Sequence, residues 1–261
     1  MTNWNYPTFI AHRGAGKLAP ENTLAAFRLG AGYGYRMFEC DVKLSSDDIL
    51  FLLHDDTLDR TSNAKGIAGN LAWRDLSQID AGSWHSRTYA GEAIPTMDAI
   101  ASFILRNRYT VNFEIKPTED CTKPDAMAYR TGERVAGRAL ELWKTNASVS
   151  APDLLQTLPP LLSSFKVESL KGAKATSPEL PRGLLLDELW SGYLEAAQDL
   201  ACSVVTCDYL LCTPAHIAKV KALGMRVGVY TVNDEGTAKD LLAIGVDVIY
   251  TDRVDLFAPA A

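Results

Sequence analysis

Residues 203–252 read SVVTCDYLLCTPAHIAKVKALGMRVGVYTVNDEGTAKDLLAIGVDVIYTD. Three short runs, SVVTCD at 203–208, RVGVYTV at 226–232 and DVIYTD at 247–252, have the apolar, β-branched character of buried strands closed by polar residues. Two helix-like stretches separate them. TPAHIAKVKALG at 213–224 opens on a good N-cap, Thr213, with Pro214 just inside, and ends on Gly224 where a helix is terminated. NDEGTAKDLLAIG at 233–245 repeats that layout, with acidic residues at its start and glycine at its end. Strand, helix, strand, helix, strand in succession predicts parallel strands joined by crossover helices.

The same reading extends toward the N-terminus. FIAHR at 9–13, MFECDV at 37–42, TVNFEIK at 110–116, PLLSSF at 160–165 and RGLLL at 182–186 bring the strands to eight. ENTLAAFRLGAGYG at 21–34 reads as a helix with Asn22 or Thr23 near its start and Leu24, Phe27 and Leu29 on roughly one side. Eight strands alternating with helices in 261 residues predict an α/β fold, the (β/α)₈ or TIM barrel, as a single domain over residues 1–261.

Two segments depart from the repeat. In DVKLSSDDILFLLHD, 41–55, a further strand at 49–54 follows its predecessor across the turn SSDD. A connection that short makes only an antiparallel hairpin, so this strand folds back on an extension of the second barrel strand. If Leu44 faces Ile49, one-to-one pairing sets His54 opposite Glu39. Residues 56–95, with RTSNAKGIAG and DAGSWHSRTYAGEAIP, read as a loop-rich insertion that caps one end of the barrel.

A net charge of −6 argues against nucleic-acid binding, which needs a basic face, while leaving room for a small anion on a few convergent cations. The opening MTNWNYPTFI has neither a basic region nor a long apolar run, and no stretch approaches 18 uninterrupted apolar residues. A cytoplasmic protein without stable membrane association is expected; oligomeric state is left open. The five cysteines include Cys202, Cys207 and Cys212 at intervals of five, a spacing that suits reduced thiols better than zinc. GAGK at 14–17 resembles the tail of a phosphate-binding loop, but Leu18 stands where a Ser or Thr is required.

In a barrel of this kind the active site lies at the carboxyl ends of the strands. There the first strand delivers His12 and Arg13, the second Glu39 and Asp41, and the third Glu114 and Lys116. Members of each of the last two pairs are two residues apart and share a face. Charged side chains inside apolar strands are seldom buried unless partnered. Three carboxylates form a hard oxygen site suited to one divalent cation, Mg²⁺ or Ca²⁺, with Mn²⁺ a further candidate. The competing reading is an ion-pair network of the carboxylates with Arg13 and Lys116. His12 and His54 would flank one substrate, each imidazole held in one tautomer by a neighbouring carboxylate. Arg13 and Lys116 are fit to receive a phosphate. His85, in the insertion, and His216, in the first turn of a helix, lie at no strand end and read as structural. Cations, histidines and a metal beside a phosphate point to phosphoester hydrolysis.

HRG at 12–14, APENTLAAF at 19–27, ExD at 39–41, HD at 54–55, DAGSW at 80–84 and FEIKP at 113–117 together resemble the glycerophosphodiester phosphodiesterase family. LLSSF, LPRGLLLDE and VYTVN extend the likeness from about residue 7 to 255, and the cytosolic bacterial branch associated with glycerol-3-phosphate uptake is the nearest in character. The resemblance implies a barrel with a small insertion after the hairpin. It implies hydrolysis of glycerophosphodiesters, the deacylated phospholipids, to sn-glycerol 3-phosphate and an alcohol. By motif, His12 and His54 become the acid–base pair, Glu39, Asp41 and Glu114 the metal ligands, and Arg13 and Lys116 the phosphate contacts. It leaves open attack by water or a first attack by the glycerol 2-hydroxyl. Many relatives carry tryptophan where this chain has Tyr230, which keeps an aromatic wall or serves the core. The alternatives are a phospholipase-like relative working at a lipid surface and a non-catalytic phosphodiester-binding barrel.

Overall fold

The structure is a computed structural model that describes residues 4–119, 121–149 and 158–257. The elements in chain order are β1 (Phe9–Ala11), α1 (Leu24–Gly32), β2 (Met37–Leu44), β3 (Leu50–Leu52) and the single turn α2 (Trp73–Leu76). There follow α3 (Met97–Asn107), β4 (Thr110–Ile115), α4 (Pro124–Val149), β5 (Leu161–Ser164), α5 (Val167–Thr176) and β6 (Arg182–Leu186). The chain ends with α6 (Tyr193–Asp199), β7 (Val204–Asp208), α7 (Pro214–Ala222), β8 (Arg226–Tyr230), α8 (Glu235–Ala243) and β9 (Val248–Thr251).

Eight of these strands pair in parallel, in the order β1, β9, β8, β7, β6, β5, β4, β2, and the contact of Ala11 with Phe38 closes β2 onto β1. The fold is the (β/α)₈ barrel expected from the sequence. Caps fall where the residue types set them. Thr23 accepts from the Ala26 amide, Thr213 from His216 and Asp234 from Thr237.

Alternation along each strand divides the core. Phe38, Cys40 and Val42 point outward with Val111, Phe113 and Ile115 and pack beneath the helices. Ile10, Met37, Leu161, Val204, Val248 and Tyr250 fill the barrel interior, with Trp4 and Tyr6 packed against them. The inward positions of β2 above Met37 are Glu39, Asp41 and Lys43. The polar site is thus the continuation of one apolar column toward the carboxyl end of the strands.

The hairpin exists, but its register differs from the expectation by one residue. Leu44 pairs with Leu50 and Val42 with Leu52, and the strand covers 50–52 rather than 49–54. The cause is Asp48, which adopts a left-handed φ of 65°. The Asp48 amide donates to Ser45 O and the Ser45 amide to Ile49 O, so the loop takes one residue more than a plain four-residue turn. In that register His54 would fall across from Cys40, not Glu39. The ladder stops at Leu52, however, and the chain bends through 54–56, which frees His54 from strand alternation.

β3 is buried on both faces. Leu50 and Leu52 join the helix-side core, while Phe51 and Leu53 join Leu58, Leu76 and Ile94 in a small core belonging to the insertion. The insertion is therefore packed, and it touches both the loop after β1 and the first turn of α1 directly. Glu92 accepts from the Ala25 amide at 3.0 Å, and His85 Nε2 lies 3.0 Å from Lys17 O.

That loop also rests on α1. A Cβ at Gly30 would stand 2.3 Å from Gly14 O and 3.0 Å from Phe38 Cε1. Helix propensity alone favours Gly30→Ala by about 1 kcal/mol. The clash reverses the sign, and Gly30→Ala is expected to lose about 1–2 kcal/mol of stability in urea titrations.

Candidate active site

Asp41 and Glu114 are register partners on the adjacent strands β2 and β4, and Glu39 sits one inward position below Asp41. Oxygens of Glu39, Asp41 and Glu114 all lie within 4.8 Å of one another, and all three residues are buried. Glu39 Oε1 and Glu114 Oε1 are buried and make no hydrogen bond. Shielded carboxylate oxygens without hydrogen bonds at this separation fit a hard divalent cation, and the set is capable of coordinating one.

The surrounding groups answer that negative charge unevenly. The Arg13 amide donates to Glu39 Oε2 at 2.9 Å, and Arg13 Nε lies 3.5 Å from Asp41 Oδ2 without bonding it. Asn22 both donates to Asp41 Oδ2 at 2.8 Å and accepts from its amide at 3.0 Å. Lys116 Nζ stands 3.4 Å from Glu114 Oε1. Burial and the neighbouring charges of Asp41 and Glu114 push Glu39 well above the usual carboxylate range. Burial with Asp41 likewise raises Glu114, to about 7. Burial also opposes ionisation of Asp41, but Arg13, His54 and Lys116 outweigh it and hold that carboxyl below its ordinary value. Burial would lower Lys116, yet Glu114 and Asp41 overcome it and raise the ammonium above its ordinary value.

Each of the two site histidines has its own carboxylate. His12 Nδ1 is 2.7 Å from Asp252 Oδ1, and His54 Nδ1 is 2.7 Å from Asp55 Oδ1. A proton on each Nδ1 is the tautomer these contacts favour, which turns each Nε2 to other partners. His12 Nε2 is 3.8 Å from Glu39 Oε2, and His54 Nε2 is 3.3 Å from Lys116 Nζ. Burial lowers the His54 pKa despite the opposing charge of Asp41, so the neutral ring is favoured.

His12, Arg13, Glu39, His54 and Glu114 line one cavity of about 200 Å³, whose far wall is Phe165, Leu185 and Tyr230. The Tyr230 hydroxyl donates to Leu186 O at 2.9 Å and its ring stands 5.7 Å from Phe165, so the tyrosine is pocket wall and packing at once. Lys116 opens onto an adjoining cavity that shares His54, Glu114 and Phe165. The remaining histidines lie elsewhere. His216 is buried between Tyr193, whose hydroxyl is 3.0 Å from Nδ1, and Cys207, while His85 stacks edge-on with Trp84 and Tyr89.

Three neighbours escaped the sequence reading. Asp252 closes DVIYTD and so stands at a strand end, a signal that was available. Lys43 continues the Glu39–Asp41 face, is almost wholly buried and reaches Asp56 Oδ1 at 2.5 Å. Arg60, in the insertion, bonds both Asp55 and Glu21, and nothing in its local sequence marks it.

A barrel with clustered carboxylates, cations and imidazoles at its carboxyl-end mouth is an enzyme scaffold arranged for an anionic substrate. Residues 12–256 match the Glycerophosphoryl diester phosphodiesterase family. A glycerophosphodiester phosphodiesterase of Caldanaerobacter subterraneus is 30% identical over 247 residues, covering 93% of each chain. The structure of an Oleispira antarctica phosphodiesterase in complex with the product sn-glycerol-3-phosphate superposes with a TM-score of 0.82 at 33% identity, over 94% of this chain and 93% of that one. A glycerophosphodiester phosphodiesterase from Agrobacterium tumefaciens gives a TM-score of 0.75 at 26% identity, over 97% and 99%. The chain belongs to the glycerophosphoryl diester phosphodiesterase family, and with it to the phosphoric diester hydrolases. Among the described residues no helix is long and apolar enough to cross a membrane.

The carboxylate cluster makes stability depend on pH in a defined direction. Without metal, the folded protein keeps a proton on Glu114 that the unfolded chain has released, so stability falls as pH rises from about 4.5 to about 7, and the raised Glu39 acts in the same direction. A cation binds the ionised cluster, so its stabilisation grows over the same interval. Melting in EDTA and in excess Mg²⁺ is expected to differ little near pH 5 and by about 5–10 °C near pH 8, for cation at about 100 times its Kd.

Proposed function

We propose that the protein hydrolyses glycerophosphodiesters to sn-glycerol 3-phosphate and an alcohol. The observation that carries this reading is the convergence of Glu39, Glu114, Arg13 and two carboxylate-oriented imidazoles on one small cavity. Asp41 completes the carboxylate cluster, and Lys116 lies on the adjoining cavity that shares His54 and Glu114. The product held by the Oleispira relative supports the choice of substrate class.

In this reading Glu39, Asp41 and Glu114 would hold one divalent cation, Mg²⁺, Ca²⁺ or Mn²⁺. Bound there, the cation offsets charge developing on the phosphoryl oxygens. With all three carboxylates ionised, Arg13 and Lys116 leave the cluster one negative charge in excess, and a divalent ion turns that into one positive charge. Arg13, which lines the cavity, offers a guanidinium and Lys116, on the adjoining cavity, a point charge to the phosphate.

His12 and His54 move the protons. One neutral ring removes a proton from the attacking hydroxyl through Nε2. The other enters the step as an imidazolium with a proton on each nitrogen and gives its Nε2 proton to the departing alcohol oxygen. Asp252 and Asp55 fix the rings so that no rotation is needed between the two transfers, and each stabilises the imidazolium that forms. The aromatic wall of Phe165 and Tyr230 excludes water from one side of the cavity.

Incubation with glycerophosphocholine and assay of glycerol 3-phosphate, with Mg²⁺, with Ca²⁺ and with EDTA, tests the whole reading. Metal-dependent release is expected. Release that survives EDTA would reduce the carboxylate cluster to an ion-pair network, and no release with any cation or head group would remove the activity. His12→Ala and His54→Ala are each expected to lower kcat by about 10²-fold or more. Turnover at the wild-type rate would strike that histidine from the mechanism. Glu114→Gln is expected to shift the metal titration to higher concentration with melting of the metal-free protein unharmed. An unchanged titration would mean that Glu114 is no ligand.

A further inference from the structure

Arg60 stands outside every strand end, on the inserted segment, yet it makes four charge-assisted hydrogen bonds to two carboxylates. Nε and Nη2 donate to Asp55 Oδ2 and Oδ1 at 2.7 and 3.0 Å. Nη1 and Nη2 donate to Glu21 Oε2 and Oε1, both at 2.8 Å. Each carboxylate has a second partner in the site. Asp55 Oδ1 lies 2.7 Å from His54 Nδ1, and Glu21 Oε1 accepts from Arg13 Nη1 at 2.8 Å. A continuous polar chain therefore runs from His54 through Asp55, Arg60 and Glu21 to Arg13.

The two carboxylates come from different loops, one after β1 and one after β3, and without a cation between them they repel. A planar guanidinium can bridge both with paired donors; an ammonium cannot. Arg60 itself is 45% exposed, and ion pairs of that exposure add little to stability. Its geometry is aligned with the two groups that face the phosphate rather than with the core.

We infer that Arg60 is a positioning residue for the phosphodiester reaction: it locks Asp55 and Glu21 together, and so sets His54 and Arg13 at a fixed distance across the substrate phosphate. The inference rests on the roles given above to His54 and Arg13. It gives the insertion a part in the chemistry through a side chain that touches no substrate.

The test compares wild type, Arg60→Ala, Arg60→Lys, Asp55→Asn, the double variant Arg60→Ala/Asp55→Asn and His54→Ala, all with Mg²⁺ and glycerophosphocholine. Arg60→Ala is expected to lose about 10–100-fold in kcat/KM, the range found when a group holding a reacting or ligating side chain is removed. Its melting temperature is expected to stay within about 4 °C of wild type. Arg60→Lys should recover little of the lost activity. The double variant should be no worse than the poorer single one, because both changes cut the same chain. Guanidinium chloride at non-denaturing concentration, but not sodium chloride, should restore part of kcat to Arg60→Ala, a readout that a purely structural role does not move. Wild-type kcat/KM in Arg60→Ala beside an inactive His54→Ala overturns the clamp and leaves the acid–base reading standing. Wild-type turnover in both overturns that reading as well. Losses that multiply in the double variant, or absence of guanidinium rescue, also overturn the clamp.

Discussion

Three carboxylates confined within 4.8 Å in a buried place repel one another and lack the water that would screen them. Much of the surrounding chain is shaped by this constraint. The segment after β1 turns through four left-handed residues, Arg13, Gly14, Gly16 and Asn22, two of which carry side chains at some conformational cost. Arg13 in that conformation turns its amide onto Glu39, and Asn22 turns its amide group onto Asp41. Gly16 lets the same loop lie against Asp252, whose Cα a side chain at 16 would strike. The loop that supplies His12 thus also carries donors onto the cluster, so that histidine and the candidate metal centre are placed by a single backbone path.

Both loops that border the site rely on interactions far apart in sequence, and this decides what could be read beforehand. Barrel strands were legible because burial on both faces leaves apolar runs of characteristic length. Glu39, Asp41 and Glu114 were legible because a buried strand tolerates a charge only where a cation or another partner answers it. The same arithmetic of two reaches Lys43, and the strand-end rule reaches Asp252; both were overlooked rather than hidden. The hairpin register was hidden. It turns on whether Asp48 takes a left-handed conformation, and the four letters SSDD permit either outcome. Arg60 was hidden more deeply, since its meaning is a contact with Glu21, thirty-nine positions away, inside a segment with no periodicity to mark one face.

The two histidines reach the mouth by different means. His12 leaves a barrel strand directly, and its carboxylate, Asp252, leaves the neighbouring strand β9, with Asn233 holding Asp252 from the loop after β8. That pair is a product of the repeating architecture and inherits its rigidity. His54 comes from beyond the repeat, on the chain leaving β3, and its carboxylate is the adjacent Asp55. A neighbour in sequence on a bent loop cannot fix a ring unless something fixes the loop. Arg60 does so from one side, and Lys43, buried and bonded to Asp56, does so from the other.

A ring of parallel strands directs its terminal side chains upward from one rim, so groups drawn from the rim alone approach a substrate from beneath. In the proposed reaction, displacement at phosphorus places the entering and leaving oxygens on opposite sides, and the two proton-transfer groups assigned to it have to reach both. For that reaction a second imidazole comes from above the rim. The antiparallel hairpin achieves this by lengthening β2 beyond its barrel partners to Leu44 and bringing the chain back down at Leu50. Its exposed edge would be a liability, and the insertion covers it: Phe51 and Leu53 are buried in the insertion's own core. The departure from the repeat at 45–95 is then one device. The hairpin carries His54 across the site, the packed insertion covers the hairpin, and Arg60 returns from that insertion to hold the loop from which His54 projects.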